Sequence, residues 1–185
     1  MNIHFMTSLF GNTGDYARIA GVLESEGHRL VTRHYLERTI DDLEKELPSE
    51  TELFYNKVLQ WINDADFVIF EVSTPCVEVG YDLAQSLNKA KPVLVLYKEM
   101  TGVVPYGLKG LHHEKLLVAA YTDKNLTQVL QQALVWASEH ANIRFSFPLS
   151  GDLAEFLDTA ARKKQISRST FLQLLLEREK HTQES

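Results

Sequence analysis

Cysteine is almost absent from this chain of 185 residues: Cys76 stands alone, so no intrachain disulfide can form. Basic charge is also scarce. Lys and Arg number 19 against 25 Asp and Glu, a net charge of −6 that argues against wholesale coating of nucleic acid. No apolar run reaches membrane-spanning length, and Met1 opens no signal peptide. The expectation is a cytoplasmic protein with no membrane partner. No internal repeat or low-complexity segment interrupts the chain. The apolar content of 44% is ordinary and sufficient for one core-forming domain with a small appendage.

The chain is organised around residues 65–83. Phe67 to Val72 is a short run rich in β-branched and aromatic residues, broken only by Glu71, and it reads as a buried parallel strand. Ser73, Thr74 and Pro75 end it, because Pro has no N–H for a ladder. Gly80 is expected to open a helix over Tyr81–Asn88 with Asp82 in its first turn. A carboxylate there lies at the carboxyl edge of a parallel sheet, where open α/β sheets bind ligands.

On either side, the pattern alternates strand and helix. Asn2 to Met6 reads as a first strand, followed by a turn-rich loop holding Gly11, Asn12 and Gly14. Asp15 to Glu26 is an amphipathic helix stopped by Gly27. His28 to Tyr35 reads as a more polar strand near an edge. Leu36 to Pro48 is charged and reads either as a helix or as an active-site loop with helical content. Ser49 is the expected cap of a helix reaching about Asn63. Val93 to Tyr97 and Leu116 to Ala120 are further strands, separated by a loop rich in glycine and proline. Asp123 to His140 is a long helix. This order is that of an α/β, doubly wound, Rossmann/flavodoxin-like parallel sheet, complete by residue 141.

Residues 143–180 differ in character. Ile143 to Ser150 alternates as a strand, Gly151 and Asp152 start a helix, and Ser167 caps another. One strand and two helices in about forty residues cannot enclose a core alone. The strand–helix–helix spacing resembles the ribbon-helix-helix family, which implies a dimer, or a higher homo-oligomer, laying a two-stranded ribbon in the major groove of double-stranded DNA. The implied DNA contacts are Arg144 and Ser146 on the ribbon, and Arg168 and Ser169 at a helix N-terminus. Pro148 offers no donor. Seven Lys and Arg against six Asp and Glu leave this tail nearly neutral, so DNA binding would be weak. The alternative is a module that only dimerises. Residues 181–185 are expected to be disordered.

The run from Asp66 through Cys76, Glu78, Gly80-Tyr81-Asp82 to Ala84, with Leu59-Gln60-Trp61-Ile62 and Phe5-Met6-Thr7-Ser8-Leu9, resembles the nucleoside 2-deoxyribosyltransferase family. It is closest to the branch of 2′-deoxynucleoside 5′-phosphate N-hydrolases. The resemblance covers roughly residues 2–140. It implies cleavage of an N-glycosidic bond by a carboxylate nucleophile, followed by hydrolysis of a glycosyl-enzyme. The position of that nucleophile is held by Asp82, a methylene shorter than the family's glutamate. Several positions depart from the family pattern: Cys76 replaces a phosphate-binding serine, Glu78 a glycine, Phe10 an arginine, Val58 an assisting aspartate and His4 a tyrosine, while Pro105 falls near a second phosphate-site serine. These departures argue against a 5′-monophosphate substrate.

The expected ligand contacts, for a nucleoside or nucleotide, are His4, Ser8, Gly11, Asn12, Glu71, Pro75, Cys76 and Gly80, with Asp82 as the catalytic candidate. Glu71 either faces the pocket or pairs with a structural partner, since a lone buried carboxylate is costly. Glu78 reads as a solvated loop charge and Cys76 as a small buried side chain. His112-His113 lacks a third ligand, so no metal and no cofactor is expected. Three functions remain open: a nucleoside- or nucleotide-binding regulator with weak or absent catalysis coupled to a DNA-binding tail, an active N-glycosidase or deoxyribosyltransferase dimerised by its tail, and an interaction module; the first is the expected one, because the departures in the pocket and the added tail point the same way.

Overall fold

Five strands pair in parallel in the order β2-β1-β3-β4-β5. They are β1 (Asn2–Thr7), β2 (Arg29–Leu30), β3 (Phe67–Glu71), β4 (Val93–Lys98) and β5 (Leu116–Tyr121). The computed structural model describes residues 1–99, 105–141, 148–164 and 166–183. Its helices in the first unit are α1 (Thr13–Ser25), α2 (His34–Glu37), α3 (Ile40–Glu44), α4 (Pro48–Asp64), α5 (Val77–Asn88), α6 (Tyr106–Lys109) and α7 (Leu126–His140). The strand order places a topological switch point between β1 and β3.

Both faces of the sheet are covered, so the strands alternate between two cores rather than between core and water. Ile3, Phe5, Phe67, Ile69, Leu94 and Leu96 pack with α1 and α7. Met6, Val68, Phe70, Val93 and Val95 pack with Val58 and Ile62 of α4 and Val79 and Leu83 of α5. This two-sided burial is why β3 reads as a continuous apolar run. Truncating Phe67 or Phe70, both fully buried, to Ala removes about 3–5 kcal/mol.

Several boundaries differ from the sequence expectation. β2 is two residues long, because its edge position leaves only Arg29 and Leu30 paired to β1. Leu36 to Pro48 folds into two short helices. α4 starts at Pro48, not behind a Ser49 cap: proline suits the first helical position, and Glu50 accepts a hydrogen bond from the Leu47 N–H at 2.8 Å. α5 starts at Val77, four residues before the expected Tyr81. Cys76 is still extended (φ −151°, ψ 130°), and the helix runs straight through Gly80. Glycine costs about 1 kcal/mol inside a helix. Burial of Val79 and Leu83 offsets it.

The chain divides into two units, Met1–Asn142 and Ile143–Ser185. The second contains α8 (Gly151–Lys163), capped by Ser150, and α9 (Arg168–Gln183), capped by the Ser167 hydroxyl at 3.0 Å from the Thr170 N–H. Leu157, Ala161 and Phe171 form its small core. Most of the strand expected over Ile143–Ser150, with Arg144 and Ser146, lies outside the described residues, and Pro148–Ser150 has no regular structure. The segment expected to be disordered from residue 181 is helical through Gln183.

α1 and α5 end in the same way. His28 N–H reaches Leu23 O and Gly27 N–H reaches Glu24 O; Lys91 N–H reaches Ser86 O and Ala90 N–H reaches Leu87 O. Both are Schellman stops, which need a left-handed residue. Gly27 (φ +80°) supplies it in α1, and Ala90 (φ +53°) in α5. Gly27→Ala therefore lowers stability by about 1 kcal/mol, and Ala90→Gly raises it by about 0.5 kcal/mol. Urea midpoints of the two variants will move in opposite directions.

Candidate active site

The carboxyl edge of the sheet carries a cavity of about 450 Å³ on the α4–α5 face. Thr7, Leu9 and Phe10 enter from the end of β1, and His34, Tyr35 and Arg38 from α2 and the residue after it. Thr51, Phe54, Tyr55 and Val58 come from α4, and Cys76 to Val79 with Tyr81 and Asp82 from the start of α5. The wall is mostly aromatic and aliphatic, with a few polar groups, as small-molecule sites are.

Asp82 is the buried carboxylate of this wall, 7% exposed. Burial, then the Glu78 carboxylate, pushes its pKa up to about 6. Glu78 precedes it by one turn on the same helix face, so the two like charges are neighbours. Glu78 itself sits in the first turn of α5, where the Cys76 thiol donates to its Oε2 at 2.9 Å and holds its pKa down. The Cys76 thiol is pushed up by burial and by that same bond. Tyr35 stays protonated through burial and the nearby Asp82 charge. The Tyr55 and Tyr81 hydroxyls meet at 3.0 Å on the rim.

Cationic partners are few. Arg38 stacks over the Phe54 ring, 4.6 Å from its centroid, and forms an ion pair with Glu46. His34 stacks on Phe54 with ring centroids 4.3 Å apart, and burial, Arg38 and Lys57 push its pKa down to about 4. It is a neutral ring at neutral pH. The described lining residues thus carry two carboxylates and one guanidinium that is already paired.

No family model matches the chain. It is 30% identical over 106 residues to the rat 5-hydroxymethyl-dUMP N-hydrolase, covering 56% of this chain and 64% of that protein, which is less than two thirds of its length. It is 30% identical over 135 residues to a Nematostella vectensis protein named 2′-deoxynucleoside 5′-phosphate N-hydrolase 1, covering 69% of this chain and 90% of that one. The chain belongs to the 2′-deoxynucleoside 5′-phosphate N-hydrolase family. Its fold matches that of the Clostridium botulinum CMP N-glycosidase BcmB, with a TM-score of 0.50 at 12% identity over 71% of this chain and 99% of that one.

Within this N-hydrolase family member, the residues expected to form one site are divided. Asp82 and Cys76 line the cavity. Asn12 and Glu71 line a second, smaller cavity instead. Glu71 lies on the other face of the sheet because it follows Phe67 and Ile69 in the alternation of β3. There its Oε1 accepts from the Ser73 hydroxyl and from the Tyr121 hydroxyl, the latter at 3.2 Å. It is thus both paired and cavity-lining. His4 is wholly buried, with rings of Trp61 and Tyr35 about it at 5.9 and 6.3 Å, and is not part of the cavity wall. Burial, then His34, pushes its pKa down to about 3. Ser8 shapes the first loop by accepting from the Phe10 N–H at 3.2 Å. Gly11 packs against Tyr16, and Pro75 and Gly80 do not line either cavity.

In the second unit, Arg168 pairs with Asp158 and Ser169 is exposed, while Arg144 and Ser146 are among the undescribed residues. Among the described residues no group of His, Cys, Asp and Glu is arranged to hold a metal, and no helix is long and apolar enough to cross a membrane. Sequence reading missed His34, Tyr35, Phe54, Tyr55 and Tyr81. The available signal was the aromatic density of residues 34–61, which converges on the cavity only once α4 packs on β1 and β3.

The raised pKa of Asp82 links folding to pH. Below its ordinary value of 3.8 the group is protonated in both states and has no effect. As pH rises through about 6, the folded chain must ionise a buried carboxylate that the unfolded chain ionised earlier, and stability falls. Asp82→Asn removes this penalty. The variant will be more stable than the parent by about 1–3 kcal/mol at pH 8 and nearly equal to it at pH 3.5, read from denaturant unfolding at both pH values.

Proposed function

We propose that this protein hydrolyses the N-glycosidic bond of a nucleoside-type substrate in the cavity at Asp82. The observation that carries this reading is a buried carboxylate, raised to about 6, in a largely apolar aromatic-walled cavity at the carboxyl edge of the sheet. The family membership gives it a reaction class. At neutral pH most Asp82 is ionised, and its incomplete solvation makes it a better nucleophile than a surface carboxylate.

Asp82 attacks the anomeric carbon. The C–N bond breaks, its electron pair leaves with the base, and the base takes a proton from solvent or from a neighbouring acid. Water then hydrolyses the glycosyl ester, releasing the free sugar and restoring the carboxylate. Phe54, Tyr55 and His34 provide flat surfaces for a base. Tyr35, kept protonated beside Asp82, is placed to donate a hydrogen bond in the same region.

The substrate class follows from charge. Glu78 holds the first turn of α5, where a helix would otherwise attract an anion. Arg38 is neutralised by Glu46. The cavity therefore favours a sugar without a 5′-phosphate, although its relatives are named for phosphorylated substrates.

The test is base release, followed by chromatography on the common deoxynucleosides, ribonucleosides and their 5′-monophosphates. Release is expected from unphosphorylated substrates, with an acid limb near pH 6, and is expected to fall at least 10³-fold in Asp82→Ala. Glu78→Gln will move the acid limb to lower pH, because one source of the upward shift is gone, and will improve the relative rate on monophosphates. Release from none of these substrates would leave a binding domain and favour the regulator reading.

The second unit is proposed as a dimerisation element. Among the described residues its two helices bury Leu157, Ala161 and Phe171, while Leu153, Phe156 and Leu176 are more than half exposed. Light scattering of the full chain is expected to give twice 21.1 kDa or a multiple of it. A monomer would remove this assignment. DNA binding by the same unit receives no support from the relatives, which are N-hydrolases.

A further inference from the structure

The cavity at Asp82 has two ends of different character. At the α4 end the rings of His34 and Phe54 lie with centroids 4.3 Å apart, and Tyr55 shares that wall. The other end is made by the first loop and the start of α5, through Leu9, Phe10, Cys76 and Val77. These two segments adjoin. A Cβ at Gly11 would lie 3.0 Å from Thr74 Oγ1, so the loop at Phe10 runs beside the segment that leads into α5. Phe10 is 67% exposed and Val77 86% exposed, although both line the cavity. A single exposed apolar side chain is ordinary, but two that share one end of a cavity form an apolar patch open to an occupant.

Charge narrows what that occupant can be. Among the described lining residues Arg38 is the one cation, and it lies on the α2 side, stacked over Phe54 and paired with Glu46. Helix N-termini attract anions, but the first turn of α5 carries Glu78, and the Cys76 thiol at its start already donates to Glu78 Oε2 at 2.9 Å. Phe10 and Val77, the side chains left to meet an occupant at this end, offer hydrocarbon alone. A hydroxyl would leave them uncovered, and a phosphate would bring a like charge beside Glu78. An uncharged apolar group covers both and meets no repulsion.

We infer that the site takes nucleosides whose 5′ carbon carries a small uncharged apolar group, a 5′-deoxy or 5′-alkylthio substituent, seated against Phe10 and Val77. The inference rests on the proposed binding of a nucleoside at Asp82. In a nucleoside the base and the 5′ carbon sit on the two carbons flanking the ring oxygen and point away from each other. A base held against the Phe54 and His34 rings therefore sends the 5′ substituent toward the first loop and the start of α5. Phe10 and Val77 are thereby specificity-determining residues and not catalytic ones, since they meet the end of the substrate remote from the bond that breaks. A thioether suits this end, because sulfur makes favourable contacts with an aromatic ring. Each CH₂ buried there raises affinity about fourfold.

The experiment measures binding by calorimetry on the full chain carrying Asp82→Asn, so that no ligand is consumed. The probes are matched adenine and uracil nucleosides, with ribose and with 2-deoxyribose, bearing a 5′-hydroxyl, a 5′-methyl, a 5′-methylthio or a 5′-phosphate group. Base release from the parent chain is followed on the same compounds. The methylthio compound is expected to bind about tenfold more tightly than the hydroxyl compound, and the phosphate most weakly. Phe10→Ala and Val77→Ala should each cut that preference to about threefold and leave affinity for the hydroxyl compound within about twofold. Both side chains are largely exposed, so both variants should fold as the parent does. Glu78→Gln should strengthen phosphate binding and leave the methylthio preference unchanged. The preference without base release would sink the proposed hydrolysis and leave this inference standing; base release without the preference would do the reverse. Hydroxyl or phosphate compounds binding as tightly as the methylthio compound, no binding in any series, or a preference unmoved by both substitutions would overturn it. So would a change of oligomeric state in Phe10→Ala or Val77→Ala by light scattering, which would assign the two side chains to a contact between copies.

Discussion

The parallel pairing of β1 with β3 is the constraint on which the rest of the first unit depends. Its register runs from Ile3↔Phe67 to Thr7↔Glu71. With β2 on the other side of β1, it fixes the switch point and sends the following segments to opposite faces: α1 to one, α5 to the other. Because side chains alternate along a strand, a slip of one residue would exchange the two faces. Glu71 would then face the aromatic cavity and Phe70 the polar one. The bulky side chains of β3, wholly buried on both sides, make such a slip prohibitive. The two cavities at this edge, one largely apolar and one polar, are therefore consequences of a single register.

The onset of α5 decides the electrostatics of the larger cavity. Had the helix begun at Tyr81, Asp82 would lie in its first turn, where the backbone dipole favours a carboxylate and keeps its pKa low. Starting at Val77 instead gives that position to Glu78 and moves Asp82 a turn deeper, under Tyr35 and the apolar wall. The two carboxylates then have opposite fates. Glu78 is stabilised by the helix start and the Cys76 thiol, and Asp82 is destabilised by burial and by Glu78. Separation of two nearby acids into a low and a high pKa is a recurring arrangement in acid–base and nucleophilic sites.

Much of the fold was legible because its signals are local. Short apolar runs and Gly27 after a periodic stretch each mark an element within a few residues. The start of α5 was not, since Ser73 to Cys76 contains turn chemistry and Gly80 is a weak helix former; tertiary burial of Val79 overrides both. Of the residues lining the candidate site, the sequence pointed to Cys76, Glu78 and Asp82, which lie in one contiguous motif, and to Phe10 and Val58 through the family positions they hold. His34, Tyr35, Phe54 and Tyr55 belong to segments twenty to fifty residues upstream, and nothing local states that they meet. Glu71 was ambiguous for a physical reason: sequence shows that a strand is buried on two faces but not which face a given residue takes.

The charge in the larger cavity bears on the proposed preference for an unphosphorylated substrate. A phosphate bound beside the Glu78 carboxylate would meet a like charge, and because Glu78 is exposed that repulsion is partly screened by solvent. Arg38 does not cancel this, because its charge is already matched by Glu46 and its plane lies against Phe54. Removing a single acid at position 78 would lift the repulsion, but it would also lower the pKa of Asp82 and make it a weaker nucleophile. In the proposed reaction, disfavouring of a phosphate and activation of Asp82 would therefore depend on one side chain, Glu78.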